Sequence, residues 1–373
     1  MNDINLTFYD TSRLYYASYY LKGFDELVKS DGLRVRIAQS LPEQLKSAVQ
    51  DSEWQHLLFA MVLCRFQQGS KILYFCIDTH DDNAIDVNTR TGGYHLPLLE
   101  SVDAYFKVNL NLAILSQTPA LLTHRDKIHS IAQFFPIQPP FRLQLGLRLA
   151  LPSSWVGYKP GLGHNQPYDG HVQAARYRRS DLKKFLPLEH ILTFRDTPKD
   201  IDIFYVTSYR NHPRHATVME QRFQVMDKLA SIPRFHSVIG FASNHTLPAR
   251  YAHLAQRRLN QVTYLETLAR CKVFVYTQGM ESCLSSKFGL TMALGITAVG
   301  EPLANNPDMQ AAYPHLHEQF GYTDPDTLIQ QAIQLADDTE RNQRLGRLNA
   351  SLFDHYLSPR AAATSILNLL QSQ

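Results

Sequence analysis

Cysteine is scarce: Cys64, Cys76, Cys271 and Cys283 are the only four in 373 residues, and none is closely spaced with another. Neither a disulfide framework nor a zinc site can be read from them, and a reducing compartment suits the chain. Long apolar runs are also missing. No stretch of about eighteen apolar residues occurs, and Met1-Asn2-Asp3-Ile4 lacks the basic patch and apolar core of an export signal. The expected location is therefore the cytoplasm, with any membrane contact peripheral and at the inner face. An excess of one charge is absent as well: 37 basic residues against 34 acidic give a net charge of +3, so no nucleic-acid partner is indicated. The densest basic cluster, Arg176-Tyr177-Arg178-Arg179 with Lys183-Lys184, reads either as a solvated face or as a contact for phosphates or a membrane surface.

What is present suits a globular enzyme. A hydrophobic content of 44% with 19% charged residues argues against long disordered tails, and 373 residues exceed what one core usually organises, so two domains are expected. In the N-terminal half, Ile4 to Tyr9 reads as a strand. The Tyr- and Leu-rich stretch from Ser12 to Lys29 reads as a helix, with Ser12 as N-cap and Gly32 at the exit, and Leu33, Val35 and Ile37 alternate as a second strand. This pattern predicts an α/β layer with parallel strands. Lys71 to Asp78 is an apolar strand that ends in the titratable run Asp78-Thr79-His80-Asp81-Asp82. Open α/β sheets place ligands at strand carboxyl ends, so Asp78, His80 and Asp81 are candidates for a general base; capping of the loop by carboxylates is the competing reading. Val102 to Asn109 is a further strand, with Lys107 read as a surface lysine in preference to a ligand contact. Phe134 to Pro140 is an extended loop stiffened by prolines, and residues 152–170 form a long Pro- and Gly-containing loop.

The C-terminal half alternates strands and helices more clearly. Ile201 to Ser208 is an apolar strand running into Thr207 and Ser208, and Met219, Phe223, Met226 and Leu229 make one helical stripe after it. The intervening loop offers hydroxyls, Arg210 and a helix start to a nucleotide diphosphate, with a solvated arginine as the plain alternative. Phe235 to Gly240 is a strand, Tyr264, Leu265 and Leu268 lie on a helix, and Lys272 to Thr277 is another strand. That strand leads into Gln278-Gly279-Met280-Glu281, then Ser285-Ser286-Lys287, a short helix to Leu294-Gly295, and the strand Ile296 to Gly300. Asp324-Pro325 and Ser358-Pro359 each pair a capping side chain with proline at a helix start.

Across roughly residues 199–370 this order resembles the donor-binding domain of GT-B glycosyltransferases. The resemblance lies in the opening Lys-Asp-Ile-Asp-Ile-Phe-Tyr-Val strand, the Tyr-Leu-x-x-Leu-Ala-Arg-Cys-Lys-Val passage, and Ser286-Lys287-Phe288 leading to Met292-Ala293-Leu294-Gly295. It implies an α/β fold of two Rossmann-like domains facing a central cleft: 1–195 on the acceptor side, 196–355 binding a nucleotide sugar, and 356–373 as a helix crossing back. It further implies a glycosyltransferase moving a sugar from a nucleotide-sugar donor to a glycan, lipid-linked or other hydroxyl acceptor, as in bacterial surface polysaccharide or glycoconjugate synthesis. Thr207, Ser208, Arg210, Gln278, Gly279, Glu281, Ser286 and Lys287 would line the donor site; no metal or other cofactor is needed, since fixed cations and helix ends serve the leaving group. Many retaining members carry two glutamates seven residues apart, and here the second place is Leu290 and the first Ser282, with Glu281 one residue out of register. A ribose contact then falls to Glu281, Thr291 or elsewhere, and stereochemistry stays open with a lean to inversion. Two alternatives share the architecture: a nucleotide-sugar epimerase and a non-catalytic nucleotide-sugar or glycan-binding protein.

Overall fold

The computed structural model describes residues 4–9, 12–38, 41–50, 54–85, 93–146, 184–243, 246–279 and 283–373. The expected loop at 152–170, the basic run 176–179 with Lys183, and Glu281 lie outside these residues. The chain divides into two compact units: unit 1 comprises 1–187, 305–307 and 356–373, and unit 2 comprises 188–304 and 308–355.

Unit 1 is built on a six-stranded sheet in the order β2-β1-β3-β4-β5-β6, formed by β1 (Ile4–Tyr9), β2 (Arg34–Ala38), β3 (Met61–Gln68), β4 (Lys71–Asp78), β5 (Ala104–Lys107) and β6 (Ile128–Ser130). The expectation of parallel strands, read from β1, α1 and β2, holds for that pair, and β3 is the exception in the sheet. β3 runs antiparallel to both β1 and β4, while β1–β2, β4–β5 and β5–β6 are parallel. The cause is local. Gly69, with φ 59°, closes a tight turn after Gln68, so β4 returns beside β3 with no room for a crossover helix. Helix α1 (Leu14–Asp31) starts from Arg13 with no side-chain cap, so Ser12 is not the cap residue; Gly32, at φ 70°, ends it in the left-handed conformation that glycine adopts without steric cost. The helices α2 (Glu43–Gln50) and α3 (Leu96–Ser101) cover one face, where Leu45, Val49, Leu98 and Leu99 join Leu63, Cys76 and Tyr105 in a buried cluster.

The last helix, Pro359–Ser372, also belongs to unit 1 and packs on α1. Ser358 caps it by accepting from the Ala361 amide, and Ala363, Ile366, Leu367 and Leu370 are its buried stripe. Contact with α1 is close because Gly23 has no side chain: a Cβ there would lie 2.5 Å from the Pro359 carbonyl carbon and closer still to its oxygen. Tyr19 Oη donates to the Leu357 carbonyl beside it. The proline-stiffened segment 134–140 is a loop, but an inward one; Phe134 and Phe135 are buried against Tyr15, Tyr16, Tyr19 and Tyr20.

Unit 2 holds a five-stranded sheet in the order β11-β10-β7-β8-β9, from β7 (Ile201–Ser208), β8 (Ser237–Ser243), β9 (Ala255–Arg257), β10 (Cys271–Tyr276) and β11 (Thr297–Gly300). Every pairing is parallel. Starting from the first strand of the unit, the chain lays two strands to one side and then two to the other, a doubly wound Rossmann-like sheet whose direction switches beside β7. Helices α4 (Ala216–Ala230), α5 (Gln261–Ala269), α6 (Ser286–Ala293), α7 (Pro325–Asp337) and α8 (Thr339–Leu352) are its longer helices among the described residues. Met219, Met226 and Leu229 of α4, with Leu328, Ala332 and Leu335 of α7, pack on Ile203, Val273 and Val299 of the central strands. Each of the Met, Leu, Ile and Val side chains contributes about 1.5–3 kcal/mol by leaving water. Asp324 caps α7 through the Thr327 amide, as Asp-Pro leads one to expect. Among the described residues no helix is long and apolar enough to cross a membrane.

Candidate active site

The carboxyl ends of β7 and β10, with the start of α6, gather most of the residues expected to meet a donor. Thr207 is half-buried and Ser208 exposed at the end of β7; Arg210, two residues on, is exposed. Beyond β10, Gln278 is held on three sides. Its amide donates to Glu301 Oε2 at 2.6 Å, its carbonyl accepts from Arg222 Nη2 at 2.9 Å, and its side-chain amide donates to the Pro302 carbonyl at 2.7 Å. Gln278 thus holds its own turn, with both backbone groups and its side-chain amide engaged. Gly279 follows because nothing larger fits: an added Cβ would strike Cys283 Sγ and come within 3.0 Å of the Cys283 carbonyl oxygen. The Gly279 amide donates to that same oxygen at 3.0 Å.

Ser285 caps α6, accepting from the Lys287 amide at 3.3 Å, so Ser286 opens the helix and its first amides point out of the helix end. Lys287 turns its amine to the Val206 carbonyl at 2.6 Å, with the Tyr264 ring 6.0 Å away. Burial and then the neighbouring Arg222 guanidinium push this amine down to about 7. Thr291 is withdrawn from the candidate ribose contacts: it is fully buried, and its hydroxyl donates to the Lys287 carbonyl at 2.8 Å within the helix.

Two residues of this site escaped the sequence reading. Arg222 is 7% exposed on α4, and its Nε has no hydrogen-bond partner among the described residues. Its spacing carries a signal: three residues after Met219 and four before Met226, it sits on the stripe that faces the core. Glu301 is the first residue after β11, a position where strand ends present side chains to ligands. Burial raises its carboxyl, while the Gln278 amide and Arg222 pull the other way.

Unit 1 brings together Asp78, His80 and Lys107 at the ends of β4 and β5. Asp78 is wholly buried and accepts four bonds: from the His80 amide (2.9 Å) and Nδ1 (2.8 Å) on one oxygen, and from Tyr105 Oη (2.8 Å) and Lys107 Nζ (2.9 Å) on the other. Burial pushes the carboxyl up, but Lys107 and His80 outweigh it and leave Asp78 at about 2. A carboxylate so fully engaged orients its neighbours instead of taking protons. Lys107 is no surface residue either; it is fully buried, donates to the His80 carbonyl at 3.1 Å and lies 5.1 Å from the Tyr94 ring centroid. The parallel pairing of β4 and β5 sets Asp78 directly opposite Lys107, a register that the sequence alone does not announce. His80 follows from the Asp78 contact: because Nδ1 donates to an ionised carboxylate, a neutral ring presents the lone pair on Nε2, which is buried and has no partner among the described residues. Asp81 is exposed, and Asp82 caps the turn by accepting from the Ala84 amide at 2.8 Å.

No family model matches the chain, and no curated protein matches it. Among solved structures, a putative UDP-N-acetylglucosamine 2-epimerase from Listeria monocytogenes is 11% identical, over 100% of this chain and 96% of that one, with a TM-score of 0.45. The S. aureus protein TarM is 11% identical over 79% of this chain and 50% of its own length, at 0.43, so the chain spans half of TarM. A glycosyltransferase from Rickettsia africae is 8% identical over 92% and 72%, at 0.40. Likenesses this distant carry no weight, and the fold is read from its own strand order.

Proposed function

We propose that the chain is a glycosyltransferase of the GT-B type whose unit 2 binds the diphosphate of a nucleotide sugar. The observation that carries this reading is the Arg222 guanidinium and the Lys287 amine, each held beside the carboxyl ends of an all-parallel sheet, with the amino end of α6 following β10. Positive groups fixed in a desolvated site stabilise a departing diphosphate without reorganising, and such preorganised charge supplies much of the rate enhancement in many enzymes. In this reading the fixed cations and helix amides take the place of a divalent ion. In unit 1, His80 Nε2 is the group fitted to take the proton of an acceptor hydroxyl. Asp78 holds the ring in the required tautomer. The acceptor is a glycan or lipid-linked hydroxyl, met in the cytoplasm.

The test begins with a thermal-shift panel of nucleoside diphosphates and nucleotide sugars. A ligand at about 100 times its Kd stabilises by about 2.7 kcal/mol, a rise of several degrees that names the base. Product analysis with and without a glycan acceptor then follows. Transfer to the acceptor supports the proposal, conversion of the donor alone makes the chain an epimerase, and the absence of any stabilising nucleotide would overturn both.

A further inference from the structure

We propose that Arg195 is a positioning residue of the phosphate site: it holds the carboxyl end of α6 and thereby fixes the opposite end of that helix, the one presented to the diphosphate. The inference rests on the phosphate reading above, but its first test needs no nucleotide.

The carboxyl end of α6 is closed group by group. A helix of eight residues leaves its last four carbonyls without partners inside the helix. Three of them are met by the departing chain. The Leu294 amide donates to the Leu290 carbonyl at 3.0 Å, the Gly295 amide to that of Met292 at 3.0 Å, and the Ile296 amide to that of Thr291 at 3.1 Å. Gly295 makes this reversal possible at φ 62°, where glycine carries no steric cost. The fourth carbonyl, that of Ala293, is met from far away: it accepts from Arg195 Nε at 2.6 Å, across 98 residues of sequence.

Arg195 is itself aimed. It lies in the short turn Thr193–Asp196, and its Nη1 and Nη2 donate to the two carboxylate oxygens of Asp354, just beyond α8, at 3.0 and 2.7 Å. Its guanidinium also lies 5.7 Å from the Phe353 ring centroid. A carboxylate gripping both terminal nitrogens fixes the plane of a guanidinium, so Nε points at one place only. The same end of α6 is seated on α8 with no room to slide. A Cβ at Gly346 would lie 2.5 Å from the Gly295 oxygen, and Asn349 Nδ2 donates to the Ile296 carbonyl at 2.8 Å.

A helix this short moves as one rod, about 12 Å long, so a tilt at Ala293 reappears at Ser286 and Lys287. Charge works in the same direction, because the guanidinium sits at the negative pole of the helix dipole. Groups that stabilise a diphosphate without reorganising must be held from behind, and Arg195 is that hold for α6.

The experiment compares the wild-type chain with three variants. Arg195→Met keeps the length of the side chain and removes its donors, and Asp354→Asn leaves the arginine but loosens its grip. Arg234→Met is the control. Arg234 makes the same pair of bonds in unit 2, to the Asp337 carboxylate at 3.1 and 2.8 Å, and its guanidinium lies 4.2 Å from the Phe235 ring, but it sits at the end of α7 instead of α6. Hydrogen–deuterium exchange of the peptide spanning 286–294 should quicken about tenfold in Arg195→Met, by a smaller factor in Asp354→Asn, and not at all in Arg234→Met. Unchanged exchange in Arg195→Met overturns the inference, and so does equal quickening in all three. Calorimetric titration with UDP, GDP and ADP forms the second arm. The nucleotide that binds wild type best should bind Arg195→Met about tenfold more weakly and Arg234→Met within about twofold of wild type, although both urea midpoints should fall by similar small amounts, as for exposed ion pairs generally. Equal losses of affinity in these two variants would make Arg195 an ordinary surface contact and overturn the inference. If Arg195→Met does not fold, Asp354→Asn carries both arms. Quickened exchange without any nucleotide binding upholds the hold of Arg195 on α6 and removes the phosphate reading instead.

Discussion

Replacing Lys107 by Met should destabilise unit 1 strongly at neutral pH and much less in mild acid. The reason lies in Asp78, whose carboxyl stands at about 2 instead of its ordinary 3.8 although burial alone pushes it upward. In the native chain a depressed carboxyl contributes stability that is present above about pH 4 and lost as pH falls through about 2. The fall from 3.8 to about 2 corresponds to about 2 kcal/mol. Lys107→Met removes the largest stabiliser of the charge, and burial then raises the carboxyl above its ordinary value. The sign inverts: the group now favours folding below about pH 4 and opposes it as pH rises through the raised value. Breaking one partner of a buried ion pair costs about 3–5 kcal/mol, a large part of the ~5–15 kcal/mol that holds a typical domain together. Both tryptophans, Trp54 and Trp155, fall within the stretch 1–187 assigned to unit 1, so urea unfolding followed by tryptophan fluorescence reports on it. The loss on substitution should be largest at about pH 7 and shrink at about pH 4.5, and Lys107→Met combined with Asp78→Asn should recover most of it. Equal destabilisation at both pH values would refute the reasoning, because the cost would then be one of packing and not of charge.

Other outcomes follow from particular contacts. Gly23→Ala should lower unfolding stability by about 1–3 kcal/mol, since its methyl collides with the Pro359 backbone and neither helix can yield without opening the other side; an unchanged urea midpoint would mean that the two helices do not pack so closely. His80→Gln should cut glycosyl transfer at least about a hundredfold and leave the donor Kd within about twofold, as measured by steady-state kinetics and calorimetry; full activity places the base elsewhere. Lys287→Ala should weaken nucleoside diphosphate binding in mild acid more than in mild alkali, because the native amine, at about 7, is charged mainly below that value. Similar losses on both sides of neutrality would count against a charged role for this side chain.

Much of the fold could be read from local chemistry. Apolar runs marked β1, β4, β7 and β10, alternation marked β2, and the stripe of Met219, Met226 and Leu229 marked α4, because these signals depend on residues within one helix or one strand. The caps Asp324 and Ser358 and the exit Gly32 were equally local. β3, β6 and β9 went unread, as did the helices α2, α3 and α8; β6 and β9 are three residues long, too short for any period to show.

Along the sequence, Asp78, His80, Arg210 and Gln278 at strand ends and Lys287 at a helix start were visible as titratable or polar residues, but their duties were not. A side chain's protonation and partners depend on what the fold sets opposite it, often tens of residues away. Lys107 looked like an ordinary exposed lysine until the β4–β5 register set it against Asp78, 29 residues earlier, and no local signal announced that Arg222 and Glu301 would close on the backbone of Gln278. Periodicity and turn chemistry determined the elements of this protein. Tertiary structure alone decided which charges are buried together, because desolvation and Coulomb energy act through space and have no counterpart in the order of residues.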